Sequence, residues 1–181
     1  IAASVDPHRC RACKTCIDIC DLGAPQIVGE EPQRHAWIDP MICSGCASCA
    51  AQCPSNAITA GYATDAQLEA MLAAVLQTND LNDRQKIVVF TCNWNAYRGL
   101  EAAGRLHASY TPCIYPLKVM CLGRLSPGIL LSAFHLGADG VLLLGCAPDE
   151  CHYIFGNQRA QDTFDLTRRL MQLLGYSNKC L

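Results

Sequence analysis

Apolar residues recur along this chain at two different spacings, and the change falls near residue 86. Before it, Leu68, Met71, Leu72, Val75 and Leu76 repeat at helical intervals and make one apolar face. Thr64, with Gln67 three residues on, is a capping box that should start this helix. Asn79–Asp80 and Asn82–Asp83 should end it as a polar linker. After it, Ile87–Val88–Val89–Phe90, Leu117–Lys118–Val119–Met120 and Val141–Leu142–Leu143–Leu144 are short apolar runs suited to buried parallel strands. Helical stretches separate or follow them at 97–108, 127–136 and 163–174. The second has Ser126 as N-cap, Pro127 at its first position and Gly137 as stop. Strands alternating with helices predict βαβ units and a small parallel sheet. In the first third, 26–28 and 36–38 predict a hairpin around the polar turn Glu30–Glu31–Pro32. The pattern divides the chain into a module at 1–62, a connecting helix and linker at 63–84, and an α/β domain at 85–181.

The first module carries two cysteine runs of one spacing: Cys10, Cys13, Cys16 and Cys20, then Cys43, Cys46, Cys49 and Cys53, with Pro54 directly after. Both read C-x2-C-x2-C-x3-C, the bacterial ferredoxin pattern for a pair of [4Fe–4S] clusters. Three thiolates so spaced can wrap three irons of a cube, and the fourth iron takes the last cysteine of the other run. The expected sets are therefore Cys10, Cys13, Cys16 and Cys53 for one cluster, and Cys43, Cys46, Cys49 and Cys20 for the other. Zinc favours two separated C-x2-C pairs around a tetrahedron and suits these tight runs poorly. The expected fold class is thus an α+β ferredoxin-like module followed by a small α/β parallel-sheet domain. Asp21 stands where proline usually follows the run. Its carboxylate should disfavour an added electron, which predicts the lower potential for the cluster of Cys43, Cys46 and Cys49.

Four more cysteines fall at the strand ends. Cys92 follows the first predicted strand by two residues, Cys121 follows the second directly, Cys146 follows the third by two, and Cys151 lies five further on. Ligands of open α/β sheets bind outside the carboxyl ends of the strands, so these thiols should converge. Four of them can hold a [2Fe–2S] cluster or zinc, or serve as redox disulfides. His152 has no second histidine to make a Rieske-type site and is expected beside the ligands or in a plain loop. Cys113 and Cys180 fit neither pattern and are expected as structural or free thiols.

Composition changes this picture in three places. Half of the 181 residues are apolar and only 17% are charged, against roughly 25% in an average domain, which suits a protein covered by partners. A net charge of −2 without a Lys/Arg run argues against nucleic acid as the main partner. The fourteen cysteines sit mostly in cluster spacings rather than a disulfide framework, and no apolar run approaches a membrane span. A reducing cytoplasm is the expected setting. The chain starts at Ile1, compatible with processing or with a longer polypeptide.

Residues 86–160 resemble the delta subunit of methyl-viologen-reducing hydrogenase. The resemblance is carried by Thr91–Cys92–Asn93–Trp94, Val119–Met120–Cys121 with Gly123–Arg124, Gly140–Val141 through Gly145–Cys146, and Asp149–Glu150–Cys151–His152–Tyr153. Members often carry a further cysteine where this chain has Asn95. The first module with its helix is similar to the carboxy-terminal ferredoxin domain of heterodisulfide reductase A-like proteins. The resemblance implies a [2Fe–2S] centre in the second domain, on the intact set of Cys92, Cys121, Cys146 and Cys151. It also implies a relay between a hydrogenase or formate dehydrogenase-like donor and a flavin-bearing protein of the heterodisulfide reductase type. No Gly-rich dinucleotide fingerprint follows the strand at Ile87, so flavin or nicotinamide would belong to a partner or to a further part of the polypeptide. The expected role is a non-catalytic electron-transfer part of a larger oxidoreductase. An iron–sulfur redox sensor and a zinc-bearing structural adaptor are the rival readings. Arg98 and Arg124 are expected as surface arginines, with cluster neutralisation or partner docking as the alternative.

Overall fold

The computed structural model describes residues 1–77, 85–177 and 180–181. The expected polar linker at Asn79–Asp80 and Asn82–Asp83 lies outside the described residues.

Short elements build the first module: β1 (Ser4–Val5), α1 (Thr15–Asp18), β2 (Pro25–Val28), β3 (His35–Ile38), α2 (Ser48–Ala51) and β4 (Ile58–Thr59). β2 and β3 form the expected antiparallel hairpin, and β1 pairs antiparallel with β4. The loose repeat seen in sequence is a close one in backbone conformation. Ala12, Lys14 and Gly23 in the first half and Gly45, Ala47 and Asn56 in the second hold matching positions, all with positive φ. For the non-glycines this costs about 1–2 kcal/mol each, and such strain concentrates where function requires it. Each left-handed residue between cysteines turns the chain back so that successive thiols face inward. The buried core here is Ala3, Ala24, Ala36, Ile38 and Ile58 with Cys16, and further cysteines pack against it. So small a core stabilises little on its own, which is the situation in which small domains use metal staples.

The second part begins with α3 (Asp65–Leu76). Its capping box is formed: the Gln67 N–H donates to Thr64 Oγ1 at 3.2 Å, and the Thr64 N–H to Gln67 Oε1 at 3.0 Å. Then follow β5 (Ile87–Cys92), α4 (Ala96–Arg105), β6 (Ile114–Val119), a 3-10 turn (Leu122–Arg124), α5 (Pro127–His135), β7 (Gly140–Leu144) and α6 (Gly156–Leu173). The three strands make a parallel sheet in the order β6-β5-β7, with Ile87 opposite both Ile114 and Gly140. β5 is central, and Val88, Val89, Phe90 and Thr91 are all buried. Leu68 and Leu72 of α3 and Leu130 of α5 complete that core. The apolar face expected of 65–76 therefore packs inward.

Several boundaries differ from expectation, three of them with a clear physical reason. β6 starts at Ile114 rather than Leu117, because Pro116 is tolerated on an edge strand, where its missing N–H is not needed. α4 stops at Arg105, short of 108, since His107 takes φ +54°. α6 starts at Gly156 rather than 163. Its buried stripe is Gly156, Ala160, Thr163, Thr167 and Met171, and two threonines hide the period from a reading by polarity. They are satisfied internally: Thr167 Oγ1 donates to the Thr163 carbonyl at 2.7 Å, and Thr163 Oγ1 to the Leu125 carbonyl at 3.5 Å.

Candidate metal centres

Two cavities open in the first module. Cys10, Cys13, Cys16 and Cys53 line one, with Ala36, Pro54 and Ile58 as walls. Cys20, Cys43, Cys46 and Cys49 line the other, with Ala24, Ile38, Ala47 and Ser48. The fourth thiol of each run thus stands in the cavity of the other run. Backbone donors point at the first set: the Ala36 and Ala57 N–H groups reach Cys10 Sγ and Cys53 Sγ, each at 3.3 Å. Burial pushes the Cys53 thiol up, but bonds from Ser55 and from backbone N–H groups outweigh it and leave it below the ordinary value. Burial, followed by the charges of Cys46 and Cys43, pushes Cys49 up to about 12.

The third group gathers at the carboxyl edge of the sheet. Cys92 is the last residue of β5 rather than two beyond the strand, because the apolar run Ile87–Phe90 continues in strand conformation through Thr91. Cys146 follows β7 by two residues, as expected, and Cys121 follows β6 by two rather than directly. Cys92 Sγ and Cys146 Sγ are 3.5 Å apart. Two thiolates on one tetrahedral metal with bonds of about 2.3 Å stand about 3.8 Å apart, so this pair is spaced to share one metal. Cys121 and Cys151 meet at Gly156: a Cβ there would lie 2.4 Å from Cys121 Sγ and 3.2 Å from Cys151 Sγ. The structure therefore brings all four predicted cysteines to one edge. Burial pushes Cys121 up to about 12 and Cys92 to about 11. Buried thiolates need a positive partner, and a metal supplies it.

The second cavity and the third group adjoin. His152, Tyr153 and Ile154, directly after Cys151, form part of the cavity wall that holds Cys43 and Cys46. Tyr153 OH donates to the Ser44 carbonyl at 3.5 Å. His152 is an exposed loop residue beside Cys151 that stacks on Trp94, with ring centres 3.6 Å apart. Asp21 corrects an expectation. Its carboxylate is held by both terminal nitrogens of Arg159, at 2.8 and 3.1 Å. Its charge is offset, so no lone carboxylate stands there to lower the potential.

The donor set suits iron–sulfur clusters on a further ground. Among the described residues Ser48 Oγ, in the wall of the second cavity, is buried without a hydrogen-bond partner, and a buried hydroxyl so placed calls for an acceptor such as a cluster sulfur. Among the described residues no three His, Cys, Asp or Glu side chains close on a single point; the thiols of the first two sets ring cavities instead. Among them too, every cysteine is a free thiol. Cys113 stands apart beside Thr111 Oγ1 at 3.1 Å, and Cys180 packs against the main core.

Arg124 is no surface arginine: it is 2% exposed. It donates from Nε to the Ala63 carbonyl at 2.9 Å and from a terminal nitrogen to Asp65, tying the start of α3 to the 3-10 turn after Cys121. Arg98 is exposed and pairs with Glu101. Sequence reasoning missed Gly156, Asn157 and Arg159, because it placed the helix start too late. Asn157 clamps the backbone of a candidate ligand: Nδ2 donates to the Cys146 carbonyl at 2.9 Å and Oδ1 accepts from its N–H at 3.3 Å. The signal was present in the interval from Gly156 through Ala160 and Thr163 to Thr167.

Comparison with known proteins agrees with this geometry. Residues 6–67 match a 4Fe-4S dicluster domain. Over 181 residues the chain is 35% identical to the A-type component of the ferredoxin:CoB-CoM heterodisulfide reductase of Methanosarcina mazei, covering all of this chain and 22% of that protein. The D-type iron-sulfur components of F420-non-reducing hydrogenases are similar to the second part. The Methanococcus voltae protein is 46% identical over 92 residues, 51% of this chain and 60% of its own. That of Archaeoglobus profundus is 40% identical over 89 residues, 49% of this chain and 65% of its own. The chain thus spans less than two thirds of each of these relatives. Residues 87–181, just over half of the chain, match the methyl-viologen-reducing hydrogenase delta subunit, and the protein belongs to that family.

Proposed function

We propose that the chain is an electron-transfer module of a hydrogenase- or heterodisulfide reductase-type complex. It holds one [4Fe–4S] cluster on Cys10, Cys13, Cys16 and Cys53, a second on Cys43, Cys46, Cys49 and Cys20, and a [2Fe–2S] cluster on Cys92, Cys121, Cys146 and Cys151. Such clusters, when bound, take up and return single electrons. The names of the relatives make a hydrogenase-like protein a reasonable donor. A formate dehydrogenase-like protein is a second candidate. The flavin-containing part of a heterodisulfide reductase A-like protein is the fitting acceptor.

The observation that carries this reading is the serial order of the three cysteine sets. Cys16 of the first cavity and Cys49 of the second pack in one cluster. Cys46 of the second shares a cavity wall with Tyr153, two residues past Cys151 of the third. Tyr153, directly after His152, is buried between the second and third sets. Metal and acid-labile sulfide analysis of anaerobically prepared protein tests the assignment. About ten irons per chain without zinc is the expected result, by ligand arithmetic. About eight irons with one zinc would make the third site a structural one.

A further inference from the structure

We infer that Arg159 tunes the redox potentials on both sides of the boundary between the second cysteine cavity and the third cysteine set, with Asp21 as its counter-charge. The inference rests on the reading that both sites carry iron–sulfur clusters.

Arg159 lies on α6 three residues past Gly156, on the same helical face. Gly156 itself packs against Cys121 and Cys151. Asp21 belongs to the other module, follows Cys20, and lines the second cavity beside Cys43 and Cys46. The two-pronged Arg159–Asp21 contact therefore spans the boundary between the two sites. Its side chains are 14% and 12% exposed, and the Phe155 ring lies 6.0 Å from the guanidinium carbon. Charges so shielded from water act strongly on their neighbours. The Arg124–Asp65 pair, within the second part, involves neither lining residues of the second cavity nor Gly156.

The sign follows from Coulomb's law. An added electron is negative, and a nearby guanidinium stabilises it while a carboxylate opposes it. Removing Arg159 leaves Asp21 uncompensated beside Cys20, so the potentials of the second and third sites should fall. Removing Asp21 should raise them. A pair acting only as a clamp between modules would not give opposite signs.

EPR-monitored redox titration of the iron-loaded chain decides it, with Arg159→Gln, Asp21→Asn, the double variant and Arg159→Lys. Arg159→Gln should change the one-electron equilibrium constant at the second site at least tenfold towards oxidation, a fall of about 59 mV. Asp21→Asn should shift it upward, the double variant should return close to wild type, and Arg159→Lys should shift least. The first site, on Cys10, Cys13, Cys16 and Cys53, should move less than the other two. Unmoved potentials in Arg159→Gln with full iron content would overturn the inference, as would shifts of one sign in both single variants. Should Arg159→Gln fail to load iron, Asp21→Asn decides alone: an upward shift supports the inference, and its absence overturns it. Wild-type protein without iron would instead defeat the underlying cluster reading.

Discussion

Gly156→Ala is the most informative single substitution at the sheet edge. The added Cβ would sit 2.4 Å from Cys121 Sγ and 3.2 Å from Cys151 Sγ, where ordinary contacts between such atoms begin near about 3.5 Å. One of the two thiols must therefore move by about 1 Å. Cys121 cannot yield easily: it is buried, and its Sγ accepts the Gly123 N–H at 3.4 Å. Overpacking of this kind costs about 1–3 kcal/mol. Alanine in a helix interior recovers up to about 1 kcal/mol over glycine, less at the first helical residue, which Gly156 is. The steric cost wins, but by a margin a folded domain survives. The variant should fold, keep its far-UV circular dichroism, and lose the third site selectively. Iron should fall from about ten to about eight per chain by ligand arithmetic, with the [4Fe–4S] EPR signals unchanged. A variant that retains about ten irons and an unaltered third-site signal would refute the convergence of Cys121 and Cys151 on Gly156.

Three further outcomes follow from the same packing. Gly99→Ala, on α4 with nothing within 4 Å of the new methyl, should raise stability by about 0.5–1 kcal/mol, read as a higher thermal midpoint without change in iron content. Phe90→Ala empties the fully buried centre of β5 and should cost about 3–5 kcal/mol in denaturant unfolding; a loss below about 1 kcal/mol would show that this is not the core. Cys113→Ser should leave iron and sulfide content untouched, because Cys113 borders none of the three cysteine sets; a loss of iron would place it among the ligands.

Much of this architecture was legible because the chemistry is local. The two cysteine runs state their own spacing, and the expected placing of Cys20 and Cys53 beside the opposite runs is how they line the cavities. The capping box at Thr64 and Gln67 and the Ser126–Pro127 start of α5 were legible for the same reason, since each depends on residues within one turn. What escaped the sequence was made by contacts between distant segments. Asp21 reads as a lone carboxylate until Arg159 arrives from α6. Arg124 reads as a surface charge until Ala63 and Asp65 close over it. The start of α6 was hidden because its first two turns, 156–162, offer Ala160 as their one apolar mark beside Gly156 and polar residues. Pro116 disguised β6 because an edge strand excuses a missing donor.

The central claim is that three cysteine sets stand in series, near enough to communicate. EPR of the fully reduced, anaerobically prepared chain tests it most directly. Neighbouring paramagnetic clusters should broaden and split one another's signals, and Cys121→Ser should remove the splitting that the third site imposes on the second. Three sharp, independent signals, or a colourless protein with none, would contradict the account.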